Sequence, residues 1–288
     1  MFVDTHIHMS HKKYDNEFSY IGTDENENFD IKRSTRADII EEIKKGGIEF
    51  CVEPGIDINS NGVLIELSEQ YPEFLYPAVG VHPTRSVGTD WKDRAIIEEL
   101  SCMKNVVAIG ELGLDYHEER KKQHRMKQKR WFVWQLKLAY RRKLPLVLHI
   151  RQADKDAIHI LRRYRRKING GVCHCFSGDK EKARIYTEEF GLMLGIGGAL
   201  LWNSESGKML EDAVKNTPLE YIVLETDGPY VRPQKPEEIA RKRWIKANNT
   251  SLIIPQIAKK IADLKGISVE EVEIITSENA KRLFNIKR

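Results

Sequence analysis

Cysteine is scarce in this sequence, and it has no long apolar run. The 288 residues include four cysteines, at positions 51, 102, 173 and 175. So few thiols, without a secreted spacing pattern, indicate a reducing compartment, and we expect the cytoplasm. No apolar stretch approaches the ~20 residues needed to cross a bilayer. Asp4, His6 and His8 interrupt the apolar start, so we expect neither a signal peptide nor a membrane partner.

Charge of one sign is scarce in one segment and missing from another, although the formal net charge is only +4. Residues 121–167 contain 17 lysines and arginines and only two acids, Asp154 and Asp156. Residues 14–31 contain six acids and no lysine or arginine. A basic segment of this kind can attract a polyanion such as a nucleic acid, but it can equally be a solvated helix face.

Short apolar runs alternate along the chain with longer amphipathic stretches, which is the pattern of a parallel α/β fold. The predicted strands are Phe2–His6, Ile48–Glu53, Leu75–Val79, Val106–Gly110, Leu146–Ile150, Gly171–Cys175, Leu192–Ile196 and Tyr221–Glu225. The predicted helices are Arg36–Lys45, Asn59–Gln70, Trp91–Met103, Lys122–Arg142, Asp154–Arg166, Asp179–Glu189, Glu205–Asn216, Leu252–Leu264 and Ser268–Leu283.

Eight strand-then-helix units predict a (β/α)8 TIM barrel, with residues 1–288 as a single domain. An open doubly wound sheet is the alternative, but its Gly-rich phosphate fingerprint is absent after the first strand. Two long loops, 11–35 and 228–249, would lie over the face formed by the carboxyl ends of the strands. We therefore expect residues 14–31 to form an acidic flap beside the active site.

Polar side chains gather where the predicted strands end. Five histidines stand at or just beyond these ends: His6, His8, His82, His149 and His174. Three carboxylates do so as well: Glu111, Glu225 and Asp227. Buried groups of this kind are costly unless they are paired or bound to metal. His6 and His8 follow the period of two, so both rings can reach one ion. The set is large enough for two divalent ions at the carboxyl ends of the strands.

Several motifs strongly resemble the TatD-related deoxyribonuclease family, a branch of the amidohydrolase-like metal-dependent barrels. They are Asp4-Thr5-His6-Ile7-His8, Gly80-Val81-His82-Pro83, Gly110-Glu111-Leu112-Gly113-Leu114-Asp115-Tyr116, Leu148-His149-Ile150-Arg151, His174-Cys175-Phe176-Ser177-Gly178, Gly195-Ile196-Gly197-Gly198, Glu225-Thr226-Asp227-Gly228-Pro229-Tyr230 and Glu278-Asn279-Ala280-Lys281-Arg282-Leu283-Phe284. The resemblance covers essentially the whole chain, in the order of the family.

The resemblance implies a ligand set for two ions. One ion would be held by His6, His8, Glu111 and Asp227. The other would be held by Glu111, His149 and His174, so that Glu111 bridges the two. Many relatives in the wider superfamily bridge with a carboxylated lysine, and here a glutamate stands at that position. Metal identity stays open among Zn, Mg and Mn, because imidazole suits zinc whereas carboxylate and water suit the other two.

These residues predict hydrolysis of a phosphodiester by a metal-activated water. Asp227 would accept the proton of that water. Glu225 would either orient a histidine or serve the structure alone. His82 and Arg151 are placed to bind phosphate oxygens, with a solvent-facing salt bridge as the alternative for Arg151. The expected substrate is DNA, as a strand end or a single strand, with the basic segment holding the trailing part.

Two other functions share parts of this pattern. The same metal site could attack an amide, a lactone or an aminoacyl ester, since every ligand would be the same. A non-catalytic nucleic-acid-binding protein could use residues 121–167 alone, but it would have no need of the ligand set. The sequence leaves the oligomeric state open.

Overall fold

The computed structural model describes residues 1–117 and 119–287. The strands are β1 (Phe2–Asp4), β2 (Phe18–Thr23), β3 (Phe29–Ser34), β4 (Ile48–Pro54), β5 (Leu75–Val79), β6 (Ala108–Asp115), β7 (Leu146–Arg151), β8 (Gly171–Cys173), β9 (Met193–Ile196) and β10 (Ile222–Leu224). Eight of them form one parallel sheet in the order β1-β4-β5-β6-β7-β8-β9-β10, and β2 and β3 form a separate antiparallel pair.

The helices alternate with these strands. They are α1 (Arg36–Lys45), α2 (Ile58–Gln70), α3 (Pro83–Ser86), α4 (Arg94–Leu100), α5 (Lys122–Arg142), α6 (Asp154–Arg163), α7 (Lys180–Arg184), α8 (Glu205–Asn216), α9 (Arg241–Trp244), α10 (Ile254–Lys265) and α11 (Val269–Phe284). Three predicted helices are divided: a 3-10 turn at Trp91–Asp93 precedes α4, another at Arg165–Lys167 follows α6, and a π-helical turn at Ile185–Glu189 follows α7. Within the described residues, no helix has the length and apolar character to cross a membrane.

The first and last strands of the large sheet are hydrogen-bonded to each other. The amide of Thr5, just after β1, donates to the carbonyl of Leu224 in β10 at 2.9 Å. Ile7 and Gly228 continue this pairing as a parallel bridge. An open doubly wound sheet would leave its two edge strands apart, so the predicted (β/α)8 barrel is confirmed.

The described chain divides into two compact units. The first contains Met1–Cys51, Cys175–Arg184 and Leu194–Ala280. The second contains Val52–His174, Ile185–Met193 and Lys281–Arg288, as far as the structure describes them. A single domain over residues 1–288 stays a prediction.

Strand β6, in the second unit, is longer than the sequence predicted. We expected Val106–Gly110, but the strand runs from Ala108 to Asp115 and is buried along its whole length. Its pairing with β7 extends to Asp115 opposite Arg151. Glu111 therefore lies inside a strand and not after its end. A strand buried on both faces can carry a carboxylate only if partners stabilise the charge.

The segment 11–35, in the first unit, is not a plain loop, because it contains a 3-10 turn at Lys12–Tyr14 followed by a β-hairpin. Strands β2 and β3 pair from Phe18 opposite Ser34 to Thr23 opposite Phe29. The hairpin is anchored to the loop that precedes α10, because the amide of Asn248 donates to the Ser19 carbonyl at 2.7 Å and the Ile21 amide donates to the Asn248 carbonyl at 2.9 Å. These contacts satisfy backbone groups that an edge strand would otherwise leave unpaired.

The expected acidic flap over the active site is wrong. Asp15 pairs with Arg36 and Glu17 pairs with Arg33, which offsets part of the negative charge. At the tip of the hairpin, Glu27 lines a cleft together with Gly46, the residue that caps α1. Gly46 precedes β4, so the tip lies toward the amino ends of the strands, away from the face where we placed the acids.

Candidate metal centre

The first unit brings together His6, His8 and Asp227. The two Nε2 atoms lie 3.2 Å apart. Asp227 Oδ1 lies 3.3 Å from His8 Nε2 and 3.9 Å from His6 Nε2. His6 is fully buried and His8 nearly so, whereas the Asp227 side chain is 15% exposed. Two imidazole nitrogens and a carboxylate oxygen so close together form a donor set that suits a divalent cation.

The carboxylate of Asp4 ties the two ends of this cluster together. Its Oδ1 accepts the amides of His6 and Thr226, each at 3.1 Å. Its Oδ2 accepts the hydroxyls of Thr226 at 2.6 Å and Ser251 at 2.7 Å. Asp4 therefore fixes the segment after β1 that carries His6 relative to the turn that carries Asp227. In the sequence Asp4 stands out only as one member of a motif, so this role was missed.

The buried carboxyl group of Asp4 should make the stability of the fold depend on pH. Burial raises the pKa of Asp4 to about 7 from its ordinary value of 3.8, although the hydrogen bonds from Thr226 and Ser251 oppose the shift. Because the folded state disfavours the ionised form, this group stabilises the fold below pH ~4 and loses that contribution as the pH rises through ~7. A shift of this size corresponds to at most about 4 kcal/mol.

The matched variant is Asp4→Asn, whose amide can donate to the oxygens of Thr226 and Ser251 without any charge. Wild type should therefore lose stability relative to Asp4→Asn between pH ~4 and ~7. Urea unfolding of both proteins without metal, over this pH range, measures the difference. Parallel stability curves would show that the Asp4 carboxyl does not titrate in this way.

The turn that carries Asp227 has an unusual backbone conformation. Asp227 has a φ of +54°, in the left-handed region that residues other than glycine adopt infrequently. Its amide donates to the His6 carbonyl at 2.8 Å, which holds the residue in that conformation. Backbone strain of this kind occurs where surrounding structure must aim a particular side chain. Glu225, two residues earlier, is buried and accepts the amide of Cys175 at 2.6 Å, which supports its structural interpretation.

The second unit holds a cluster centred on Glu111. Its Oε1 lies 2.7 Å from His149 Nδ1, 3.5 Å from His82 Nε2 and 3.8 Å from His174 Nε2. Glu111 in β6, His149 in β7 and His174 just after β8 come from adjacent strands, and His82 follows β5. The structure groups His82 with Glu111 and His149 as possible metal ligands, and its predicted contact with phosphate stays a prediction.

The electrostatics of the cluster favour a positive charge beside Glu111. Burial alone would raise the pKa of Glu111, but His82, His149 and His174 together hold it well below its usual value. The carboxylate is therefore ionised at neutral pH. Burial alone would lower the pKa of His149. Hydrogen bonds to Asp115 and Glu111 outweigh that effect, so the pKa of His149 is raised. A site that stabilises an imidazolium between carboxylates also suits a divalent cation.

Asp115, at the end of β6, holds the other side of the His149 ring. Its Oδ2 lies 3.0 Å from His149 Nε2, while its Oδ1 accepts the amide of His117 at 2.9 Å. A histidine that binds a metal through one nitrogen commonly donates its other N–H to a carboxylate, which fixes the tautomer. Sequence reasoning did not assign Asp115 a role, although the period of two along β6 puts it on the same strand face as Glu111.

Within each unit, further side chains lie beside residues of these clusters: Arg151 in the second, and Lys13 and Tyr230 in the first. Arg151 ends β7 and lines a cleft of about 470 Å³ together with Asp115. In the first unit, the Lys13 ammonium lies 4.4 Å from the centre of the Tyr230 ring, and that ring contacts His8 edge-on at 6.2 Å. Burial lowers the pKa of Lys13, with Arg232 adding to the shift and Asp227 opposing it. Lys13 was overlooked because the segment that carries it was treated as an acidic loop.

The chain is similar to known proteins over nearly its whole length. The family described as "TatD related DNase" matches residues 3–285. A metal-dependent hydrolase named YabD from Bacillus subtilis is 34% identical over 286 residues, covering 99% of this chain and all of the relative. A protein from Rahnella named "3'-5' ssDNA/RNA exonuclease TatD" is 30% identical over 249 residues, covering 86% of this chain and 92% of the relative.

The fold has solved relatives as well. YJJV, a TatD homologue from Escherichia coli, superposes with a TM-score of 0.79 at 23% identity, covering 99% of this chain and 98% of the other. The barrel and its imidazole and carboxylate clusters define the class of metal-dependent hydrolases. Within that class, the chain belongs to the TatD-related DNase family. Membership of an enzyme family argues against the non-catalytic binding protein considered above.

Proposed function

We propose that this protein hydrolyses phosphodiester bonds near an end of a single-stranded nucleic acid, using two divalent ions. The observation that carries the proposal is that each unit holds its own donor set, His6 with His8 and Asp227 in the first and Glu111 with its histidines in the second. Hydrolases that use two metal ions need two such sets.

The proposed ligands are the residues of this chain that stand at the ligand positions of the family motifs. His6, His8 and Asp227 hold one ion, His149 and His174 hold the other, and Glu111 is shared. The donor set fits, because six imidazole and carboxylate groups converge as two clusters in which at least one carboxylate, Glu111, is ionised at neutral pH. Imidazole and carboxylate together are compatible with Zn, Mn and Mg, so identity is left to experiment.

When bound, the ions lower the pKa of water and polarise the phosphoryl oxygen. The protein supplies the remaining steps. Asp227 accepts the proton of the attacking water and can pass it to the leaving oxygen. Asp115 keeps the Nδ1 of His149 turned toward Glu111. Arg151 ends β7 and lines the same cleft as Asp115. Its planar guanidinium can donate two parallel hydrogen bonds to the oxygens of a phosphate.

The substrate class is supported by both the relatives and the charge distribution. Several relatives are named for 3'-5' exonuclease activity on single-stranded DNA and RNA. This chain carries 17 lysines and arginines within residues 121–167, close in sequence to Asp115 and including Arg151. Such a surface offsets phosphate charge without reading base sequence.

Chelation tests the metal requirement. Dialysis against EDTA should abolish hydrolysis, and restoring Zn, Mn or Mg one at a time should recover it, because Asp227 alone cannot generate a hydroxide at neutral pH. The assay follows single-stranded DNA, single-stranded RNA, duplex DNA and an aminoacyl ester in parallel, with metal content measured on each sample.

Single-stranded substrates should be shortened fastest. If a preparation shown to be free of metal retains full activity, the two-ion mechanism is wrong. If the aminoacyl ester alone is cleaved, the site is metal-dependent but the proposed substrate is wrong.

A further inference from the structure

Three tryptophans form a cluster on the outer side of the second unit. Trp91, from the turn before α4, lies 5.2 Å from Trp131 and 6.2 Å from Trp134, measured between ring centres. Trp131 and Trp134, on α5, are 5.5 Å apart. Trp131 is buried and anchors the cluster, whereas Trp91 and Trp134 are partly exposed. Aromatic rings on this surface are a platform and not a closed core.

Positive side chains surround the platform. Trp91 and Trp134 line a cleft of about 680 Å³ together with Lys127, Lys129, Arg130 and Lys137, and none of the described residues that line it is acidic. The guanidinium of Arg130 lies 3.9 Å from the centre of the Trp91 ring. Lys129 is paired with Asp156 at 2.7 Å, so Lys127, Arg130 and Lys137 supply the available positive charge.

We propose that this tryptophan cleft binds single-stranded nucleic acid. A base stacks on Trp134, while Arg130 and Arg94 lie over the Trp91 ring, and Lys127, Arg130 and Lys137 contact the phosphates. The combination is specific to a flexible polyanion with flat bases: lysines alone would hold any polyanion, and tryptophans alone would hold any apolar group. This inference rests on the proposed function, because the strand bound in the cleft is the substrate that the metal centre would hydrolyse.

The position of the cleft connects it to the candidate metal centre through one helix. Lys127 lines the tryptophan cleft and also donates to the Val87 carbonyl at 3.2 Å. Val87 and Gln128 line the smaller cleft that contains Arg151 and Asp115. Gln128 is bonded to the backbone of Asp115 in both directions, each at 2.9 Å. Neighbouring residues of α5, Lys127 and Gln128, therefore line the two clefts, so a strand held by the tryptophan cleft lies close to the cleft that contains Arg151.

The arginines at the end of α6 and in the 3-10 turn after it are a weaker candidate for the same role. Arg162 is already bound in a fork to Glu189, at 2.7 and 2.9 Å. Arg163, Arg165 and Arg166 are exposed and carry equal charge, so they form a matched control within the same basic segment. Substituting these arginines distinguishes binding by the tryptophan cleft from a general effect of positive charge.

Binding is measured without hydrolysis, in EDTA, by the change in anisotropy of a labelled oligothymidylate of about 16 nucleotides. The test variant is the triple substitution Lys127→Gln, Arg130→Gln and Lys137→Gln. Each phosphate that the variant no longer neutralises should reduce the slope of log K against log salt by about 0.7, so we expect a reduction of about 2 and at least tenfold weaker binding at low salt. The control triple Arg163→Gln, Arg165→Gln and Arg166→Gln should change the slope much less.

Tryptophan fluorescence tests stacking in the unmodified protein. Titration with the oligothymidylate should quench it, and Trp134→Ala should weaken binding about fivefold or more, the lower limit for removal of one stacked base. Equal effects of the two triple variants, or equal affinity for polyglutamate, would overturn the proposal. A different outcome would separate the two proposals. If the oligothymidylate binds in the tryptophan cleft but no substrate is hydrolysed, the binding site is supported and the proposed activity is wrong.

Discussion

Replacing Asp227 with asparagine should reduce kcat at least ~100-fold, with a much smaller change in KM. The substitution keeps the shape of the side chain and one oxygen donor but removes the carboxylate that we propose accepts the proton of the attacking water. General bases contribute factors of roughly 10² to 10⁴, so the expected loss is at the lower end or above it. The position is also rigidly aimed, because its amide is bonded to the His6 carbonyl at 2.8 Å.

The measurement separates proton transfer from metal binding. Asp227→Asn is assayed on a short single-stranded substrate with the metal content of the same sample determined. The matched variant is Glu225→Gln, two residues away, where the structure shows a carboxylate engaged with the Cys175 amide. We expect Glu225→Gln to affect stability more than turnover. Unchanged turnover in Asp227→Asn would place the base elsewhere, with Glu225 the next candidate.

The strand pattern was predictable because strands buried on both faces leave a local signature. Each of the eight apolar runs overlaps a strand of the large sheet, and the long helix Lys122–Arg142 was predicted to the residue. Strand ends were less certain, as β6 shows. Pairing with β7 carries β6 five residues beyond Gly110, and no local signal in Gly110-Glu111-Leu112-Gly113 announces that pairing.

The hairpin could not be predicted from its own residues. Its turn holds the acids and asparagines typical of a loop, and Asp24 accepts the amides of Asn26 and Asn28 there. What makes the segment extended is a partner far along the chain, Asn248, whose backbone is bonded to both Ser19 and Ile21. A contact between residues more than 200 positions apart is not visible in local periodicity.

The residues of the two clusters were predictable because histidines and carboxylates at strand ends are costly to bury unless they are paired or bound to metal. The residues that hold them were not. Asp4 and Asp115 look like ordinary polar residues in sequence, and only the structure shows Asp4 accepting four hydrogen bonds and Asp115 bonded to His149. The same limit applies to Lys13, which reaches Tyr230 only through the fold.

Glu111→Gln should be the most damaging single substitution in the site. The carboxylate of Glu111 is the group around which His82, His149 and His174 gather, and it is proposed to be shared by both ions. An amide removes the negative charge and binds divalent cations poorly. We therefore expect the purified variant to lose both ions and all measurable hydrolysis, which makes it worse than the loss of Asp227.

Asp115→Asn is the comparison variant for this experiment, because it should cause a smaller loss than Glu111→Gln. It removes the charge that holds the far side of His149 without touching the proposed donor set. Loss of such a partner usually costs 10- to 100-fold in metal affinity or activity, so excess metal should restore much of the rate in Asp115→Asn and none in Glu111→Gln. Metal analysis after dialysis, together with a titration of activity against added Mn or Zn, measures both. Two ions per chain retained by Glu111→Gln would contradict the shared ligand, because a group that contacts both ions cannot lose its charge and leave both bound.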